Sequence, residues 1–253
     1  MNTLQAPSSL NAVTRVLILG IVWFVLILFV FTQTRAWEVG LRFLFPLEEN
    51  VLYGTSPLFN LAITHLMLIV SSGFLTTVLG VGLGIFVTRE SGREFLPLVS
   101  SLTALAQTFP PVAVLALSYP LLGFGFYPVL IALSLYGLLP VLAGTLAGIG
   151  SVDAAALEAA RGMGMTNFQV LTRVELPLAL RPLLGGIRTS LVVNIGTAAI
   201  GAAIGAGGLG LPIFAGLENQ NFAFVLEGAL SVAMLALWAD WVMGLLEQAL
   251  IRG

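Results

Sequence analysis

The sequence predicts an all-α, polytopic membrane protein, and three observations carry that prediction. Mean hydropathy is +1.04, and only 9% of the 253 residues are charged, against about 25% in a soluble domain. Apolar stretches of helix-spanning length recur along the chain. All the arginines except Arg188 lie outside those stretches, in the connections or at the ends.

A helix needs about 20 apolar residues to cross the hydrocarbon core. Six stretches qualify, at about 16–33, 61–88, 95–119, 126–149, 183–209 and 222–249. The first lacks a small-x-small cleavage site after its apolar run, so it reads as a retained helix rather than a signal peptide. Residues 34–60, with Trp37, Glu38, Arg42, Glu48 and Glu49, read as a surface-lying connection with Trp37 at the interface. Arginine placement sets the orientation. With both termini inside, Arg15, Arg89, Arg93, Arg161, Arg173, Arg181, Arg188 and Arg252 lie in or beside the cytoplasm, and only Arg35 and Arg42 lie outside. The chain reads as one transmembrane domain over 1–253, with its core at about 61–250 and a cytoplasmic loop at 151–180.

What is missing excludes most enzyme classes. There is no cysteine, hence no disulfide, thiolate nucleophile or cysteine metal site. All ten basic residues are arginine, so no P-loop lysine can grip ATP. A single histidine cannot build a multi-histidine metal site. The expectation is a non-catalytic chain that binds no cofactor itself.

The loop between the fourth and fifth spans is polar and locally well specified. Ser151 can cap a helix, with Asp153 in its first turn, where a negative charge favours the dipole. Alanines and other strong formers follow through Arg161. Gly164 suits the left-handed residue that ends a helix. Thr166 and Gln169 are spaced as a capping box, with Met165 and Val170 as its hydrophobic staple. The second helix is expected to end at Pro177, which lacks a donor. Phe168, Leu171 and Val174 form the stripe expected to pack the unit, leaving Arg161, Asn167 and Arg173 outward. A helix-turn-helix facing the cytoplasm results, and composition alone leaves open a plain amphipathic loop lying on the lipid surface.

Its spacing is distinctive: Glu158-Ala159-Ala160, three residues, Gly164, nine residues, Val174, one residue, Leu176-Pro177. This resembles the EAA motif of ABC importer permeases, with valine in place of isoleucine at 174. The resemblance implies that Glu158, Ala159, Ala160, Gly164, Val174, Leu176 and Pro177 belong to a coupling helix docked on a separate ABC ATPase dimer, where ATP and Mg²⁺ are used. Further partners implied are a second permease copy or a sister permease, an extracytoplasmic substrate-binding protein and the lipid bilayer; no nucleic acid is expected.

Other segments narrow the branch. Gln107-Thr108-Phe109-Pro110 with Pro120-Leu121-Leu122-Gly123, and Ala239-Asp240 before Leu246-Glu247, resemble runs in glycine betaine, choline and carnitine permeases. Gly205-Ala206-Gly207-Gly208-Leu209-Gly210 resembles a glycine signature of osmoprotectant and methionine importers, although Leu211-Pro212 stands where an aspartate often follows. Gly205, Gly207, Gly208 and Gly210 are expected to form a flexible outer gate. Gln107, Thr108 and Asn194 are pathway candidates, because unpaired polar groups at membrane depth are costly; an interhelical hydrogen bond explains each equally well. His65 reads as an interfacial polar residue near the outer end of its span, and Asp240 as the one ionisable group at depth, near water or an arginine. The small pairs Ala198/Ala202 and Gly201/Gly205 suit close helix packing, inside one subunit or along a dimer axis.

The resemblance implies an osmoprotectant importer subunit of a bacterial or archaeal plasma membrane. A permease for another small solute such as methionine stays open. An ion-coupled secondary transporter would need buried ionisable groups and broken helices at the midplane, and an intramembrane enzyme would need paired nucleophiles or carboxylates; the sequence favours neither.

Overall fold

The computed structural model describes residues 9–251, and among these the chain is helical with no strand. Five helical segments are long and apolar enough to cross a membrane: Thr14–Thr32, Leu58–Thr88, Phe126–Gly150, Asn167–Ile204 and Phe222–Leu250. We label the helices α1 (Ser9–Thr32), α2 (Thr34–Leu44), α3 (Leu58–Thr88), α4 (Leu96–Thr108), α5 (Pro111–Leu122), α6 (Phe126–Gly150), α7 (Ala154–Gly162), α8 (Asn167–Val170), α9 (Leu176–Ala198), α10 (Gly210–Glu218) and α11 (Phe222–Ile251). Arg252, counted among the cytoplasmic arginines, lies outside the described residues.

The expected span at 95–119 is two shorter helices, α4 and α5, broken at Phe109–Pro110. Pro110 and Pro111 remove two successive backbone donors, so an unbroken helix would leave carbonyls one turn back unpaired. The break is clasped to α6 from both sides. The Gln107 side-chain amide donates to the Tyr136 carbonyl at 2.7 Å, and the Tyr136 hydroxyl donates to the Phe109 carbonyl.

The core is α3, α6 and α9, each packed against the other two. Lipid tails are as apolar as leucine, so helices associate in a bilayer through close packing rather than through a hydrophobic drive. α6 and α9 meet at facing glycines: a Cβ on Gly144 would lie 2.6 Å from the Pro182 carbonyl oxygen, and one on Gly186 would collide with that of Pro140. Gly80 and Gly84 of α3 admit Val141 and Thr145 of α6 in the same way. The Ala198 and Ala202 side chains are buried within the subunit, and a Cβ on Gly201 would press on Val129. Those small residues therefore serve packing inside one chain.

α1 lies outside this core, against α11. The Trp238 indole donates to the Gly20 carbonyl at 3.0 Å, and Phe24 stacks on Trp238 with ring centroids 4.7 Å apart. The 34–60 connection contains a helix, α2, and is pinned rather than loose. Glu227 of α11 accepts from the Tyr53 backbone N–H at 2.8 Å, and Asn221 donates to the Asn50 carbonyl at 2.7 Å. Trp37 donates to the Val30 carbonyl at 3.1 Å.

Candidate functional site

The polar elbow between α6 and α9 is built almost entirely by local bonds. Asp153, not Ser151, is the N-cap of α7, its carboxylate accepting from the Ala155 N–H at 3.0 Å. The Ser151 hydroxyl instead returns to the Gly148 carbonyl at the end of α6. The helix ends in a Schellman closure: Met165 N–H reaches the Ala160 carbonyl at 3.2 Å and Gly164 N–H the Arg161 carbonyl at 2.9 Å. That closure requires a left-handed residue, and Gly164 has φ +80°. The capping box forms with both bonds present, Thr166 N–H to Gln169 Oε1 at 2.8 Å and Gln169 N–H to Thr166 Oγ1 at 3.3 Å. Val170 of the expected staple is buried, and Met165 half-buried.

Two expectations fail here. The second helix does not stop at Pro177. It passes through a π-helical turn, Leu171–Glu175, into α9, where Pro177 is the second residue. In that wide turn the Leu176 N–H reaches back five residues to the Leu171 carbonyl. A ring that clashes with the carbonyl four residues back finds room there. Phe168 does not pack the unit either. Its side chain is 73% exposed, as is that of Met163 at 71%. In α7 and the turn, Glu158, Ala159 and Gly164 are also exposed, while Ala160 is buried; along the second arm Val174 and Leu176 are half-buried and Pro177 is exposed. The elbow therefore presents the apolar side chains of Met163 and Phe168 beside Glu158 and Ala159 on one exposed surface.

The sequence reading missed the bond that ties this elbow down. Glu175, in the π turn, is buried and accepts from Arg89 at the end of α3 in bidentate form, Nη2–Oε2 2.6 Å and Nη1–Oε1 3.2 Å. No spacing signals a pair separated by 86 positions. A second network joins α9 to α11. Arg188 grips Asp240 at 2.6 and 2.7 Å, and Arg181 lies 3.6 Å from Glu247. Asp240 thus finds its arginine. Here a signal did exist: seven residues separate the cations on one helix and the acids on the other, about 10 Å along each axis.

The pathway candidates scatter. Gln107 is half-buried and edges a groove of about 520 Å³ between α4, α6 and α9, with Gly144, Pro182, Gly185 and Thr189. Thr108 is exposed and donates to the Leu105 carbonyl at 2.7 Å. Asn194 is enclosed between α3, α6 and α9, beside Gly137 and Ser190, and its amide has no hydrogen-bond partner among the described residues. His65 is fully buried rather than interfacial; its Nε2 sits 3.0 Å from the Ile195 carbonyl. Because a carbonyl can only accept, Nε2 carries the hydrogen. Asp240 is not the only acid at depth, since Glu227 is buried on the same helix.

The glycine run is not a helix. Gly205, Gly207 and Gly208 have φ of +77°, +77° and +79°, and Ala206, Gly208, Leu209 and Gly210 are buried. A Cβ on Gly208 would lie 3.0 Å from His65 Nδ1, and one on Gly210 would collide with the Ala199 carbonyl oxygen. The expected gate is a packed turn, seated on α3 and on the chain just after α9.

The described residues form a bundle of membrane-length helices with a self-capped polar elbow, and they hold no group of three or more potential metal ligands. Residues 80–252 match the family described as binding-protein-dependent transport system inner membrane component. The chain belongs to that family and is a multi-pass protein of the plasma membrane. It is 43% identical over 187 residues to the glycine betaine/carnitine/choline transport system permease protein OpuCD of Bacillus subtilis, covering 74% of this chain and 81% of that one. It is 36% identical over 217 residues to the osmoprotectant import permease protein OsmY of Salmonella typhimurium, covering 86% and 89%. Among solved structures, the methionine ABC transporter MetNI in an inward-facing conformation superposes with a TM-score of 0.66 over 74% of this chain and 93% of that one, at 22% identity. That similarity establishes the fold.

Proposed function

We propose that this chain is the membrane-spanning permease subunit of an ATP-driven importer for small quaternary-ammonium osmoprotectants such as glycine betaine, choline or carnitine. The substrate class rests on relatives whose names carry it. The observation that carries the mechanism is the exposed elbow, whose Glu158-Ala159-Ala160 and Gly164 spacing is presented on a closed, self-supporting turn. An ABC ATPase dimer docks there and uses ATP with Mg²⁺. A binding protein delivers the solute on the opposite side, and a second copy or sister permease completes the path. Both termini face the cytoplasm of a bacterial or archaeal cell, in keeping with the arginine distribution. The split third span serves as the sixth crossing. Gln107 and Thr108 line the conduit beside the break, because irregular backbone at membrane depth is tolerated where it meets protein or water rather than lipid. The glycine turn at 205–210 is the outer gate, and Asn194 reaches the conduit only through a shift of α9.

The test is uptake by the reconstituted complex, comparing labelled glycine betaine, choline, carnitine and methionine. Gly164→Trp is expected to abolish uptake of the preferred osmoprotectant while membrane insertion stays normal. Unchanged uptake by that variant refutes the coupling role, and preference for methionine refutes the substrate class.

A further inference from the structure

The elbow joins the bundle through its two chain ends, and at one further point it grips a helix that is not its sequence neighbour. We infer that the Arg89–Glu175 pair is the mechanical link by which the elbow moves α3, making both side chains positioning residues for transport. The inference rests on the reading of the elbow as the ATPase contact.

Three observations carry it. The guanidinium is also held, by longer bonds, to the last turn of α3: Nε donates to the Ile85 carbonyl at 3.4 Å and Nη2 to Thr88 Oγ1 at 3.3 Å. A cation there also meets the negative end of the α3 dipole. Second, Glu175 is the last residue of the π turn, where the elbow becomes α9, and such turns mark sites where a helix adjusts. Third, the contact is bidentate, which fixes direction as well as distance. A displacement of the elbow is thus shared between α9, by chain continuity, and α3, by this pair. α3 and α9 also touch each other farther along, where His65 meets the Ile195 carbonyl, and the pair extends that contact to the end next to the elbow. Without it, the elbow reaches α3 only through apolar packing and that distant bond.

The experiment uses the complete complex, with its ATPase and binding protein, in lipid vesicles. The readout is solute moved per ATP hydrolysed, which a merely stabilising contact leaves alone. Glu175→Gln and Arg89→Gln are expected to lower that ratio about tenfold, inside the roughly 5- to 150-fold range of ordinary site-to-site coupling. The chain has no cysteine, so Arg89→Cys/Glu175→Cys can be bridged by a thiol crosslinker of arginine-like length. Bridging is expected to restore the ratio over the same variant unbridged. A ratio within about twofold of the parent in both glutamine variants overturns the inference, being below that coupling range. So does a bridge that restores nothing, and this comparison decides the matter if the glutamine variants fail to assemble. Gly164→Trp in the same assay separates the two levels: if it transports normally, the docking reading has failed, whereas if it alone is inactive, only the link has.

Discussion

The two irregular connections flanking α9 share one kind of helix closure and differ in what surrounds it. The elbow at 153–175 is closed by its own residues: an aspartate cap, a Schellman turn and a capping box, all between positions at most five apart. Its Met163 and Phe168 side chains are exposed. The glycine turn at 205–210 opens with the same Schellman closure, Gly205 N–H to Ala202 and Ala206 N–H to Gly201, but carries no side-chain cap and packs beyond it against α3 and Ala199. The first has side-chain caps of its own beyond that closure, whereas the second rests on α3 and on Ala199. In the proposed importer, the first arrangement suits a part that transmits force and the second a part that opens.

This contrast can be broken experimentally, beginning with the largest effect. Gly210→Ala forces a Cβ into the Ala199 carbonyl and is expected to cost about 3 kcal/mol, the upper end for overpacking. The thermal midpoint of the detergent-solubilised protein should fall, with hydrogen exchange rising in both α9 and α10. At the elbow, Gly164→Ala meets open space, so only the left-handed backbone opposes it, at about 1–2 kcal/mol. Hydrogen exchange should rise over 154–175 while the global midpoint stays put. Thr166→Ala removes one cap bond and is expected to cost about 1 kcal/mol, again seen only in local exchange. If either elbow variant lowers the global midpoint as far as Gly210→Ala does, the elbow is not the independent unit described.

Legibility in the sequence followed the range of the interaction responsible. The spans emerge from hydropathy, a property of consecutive residues, and the capping box and the Gly164 closure follow from positions within one turn. The break at Phe109–Pro110 was also local, since Pro110-Pro111 removes two donors; overall hydrophobicity across 95–119 hid it. Phe168 was misread because its periodicity says which residues share a face, not whether another chain covers that face. His65 was placed at an interface because a lone histidine carries no information about the Ile195 carbonyl, 130 positions away. Glu227 escaped notice for the same reason: its partner is the Tyr53 backbone, invisible to side-chain spacing.

From residue order alone came the class of protein, the helical spans, the location of the elbow and its cap chemistry, because each depends on groups that the chain itself keeps within a turn or two. Tertiary structure alone decided that the helix runs on through Pro177, that Arg89 holds Glu175, that Asn194 is enclosed, and that the glycine turn is packed. Each of these depends on which helices come into contact, and close approach at Gly144 and Gly186 is possible only once α6 and α9 have found one another.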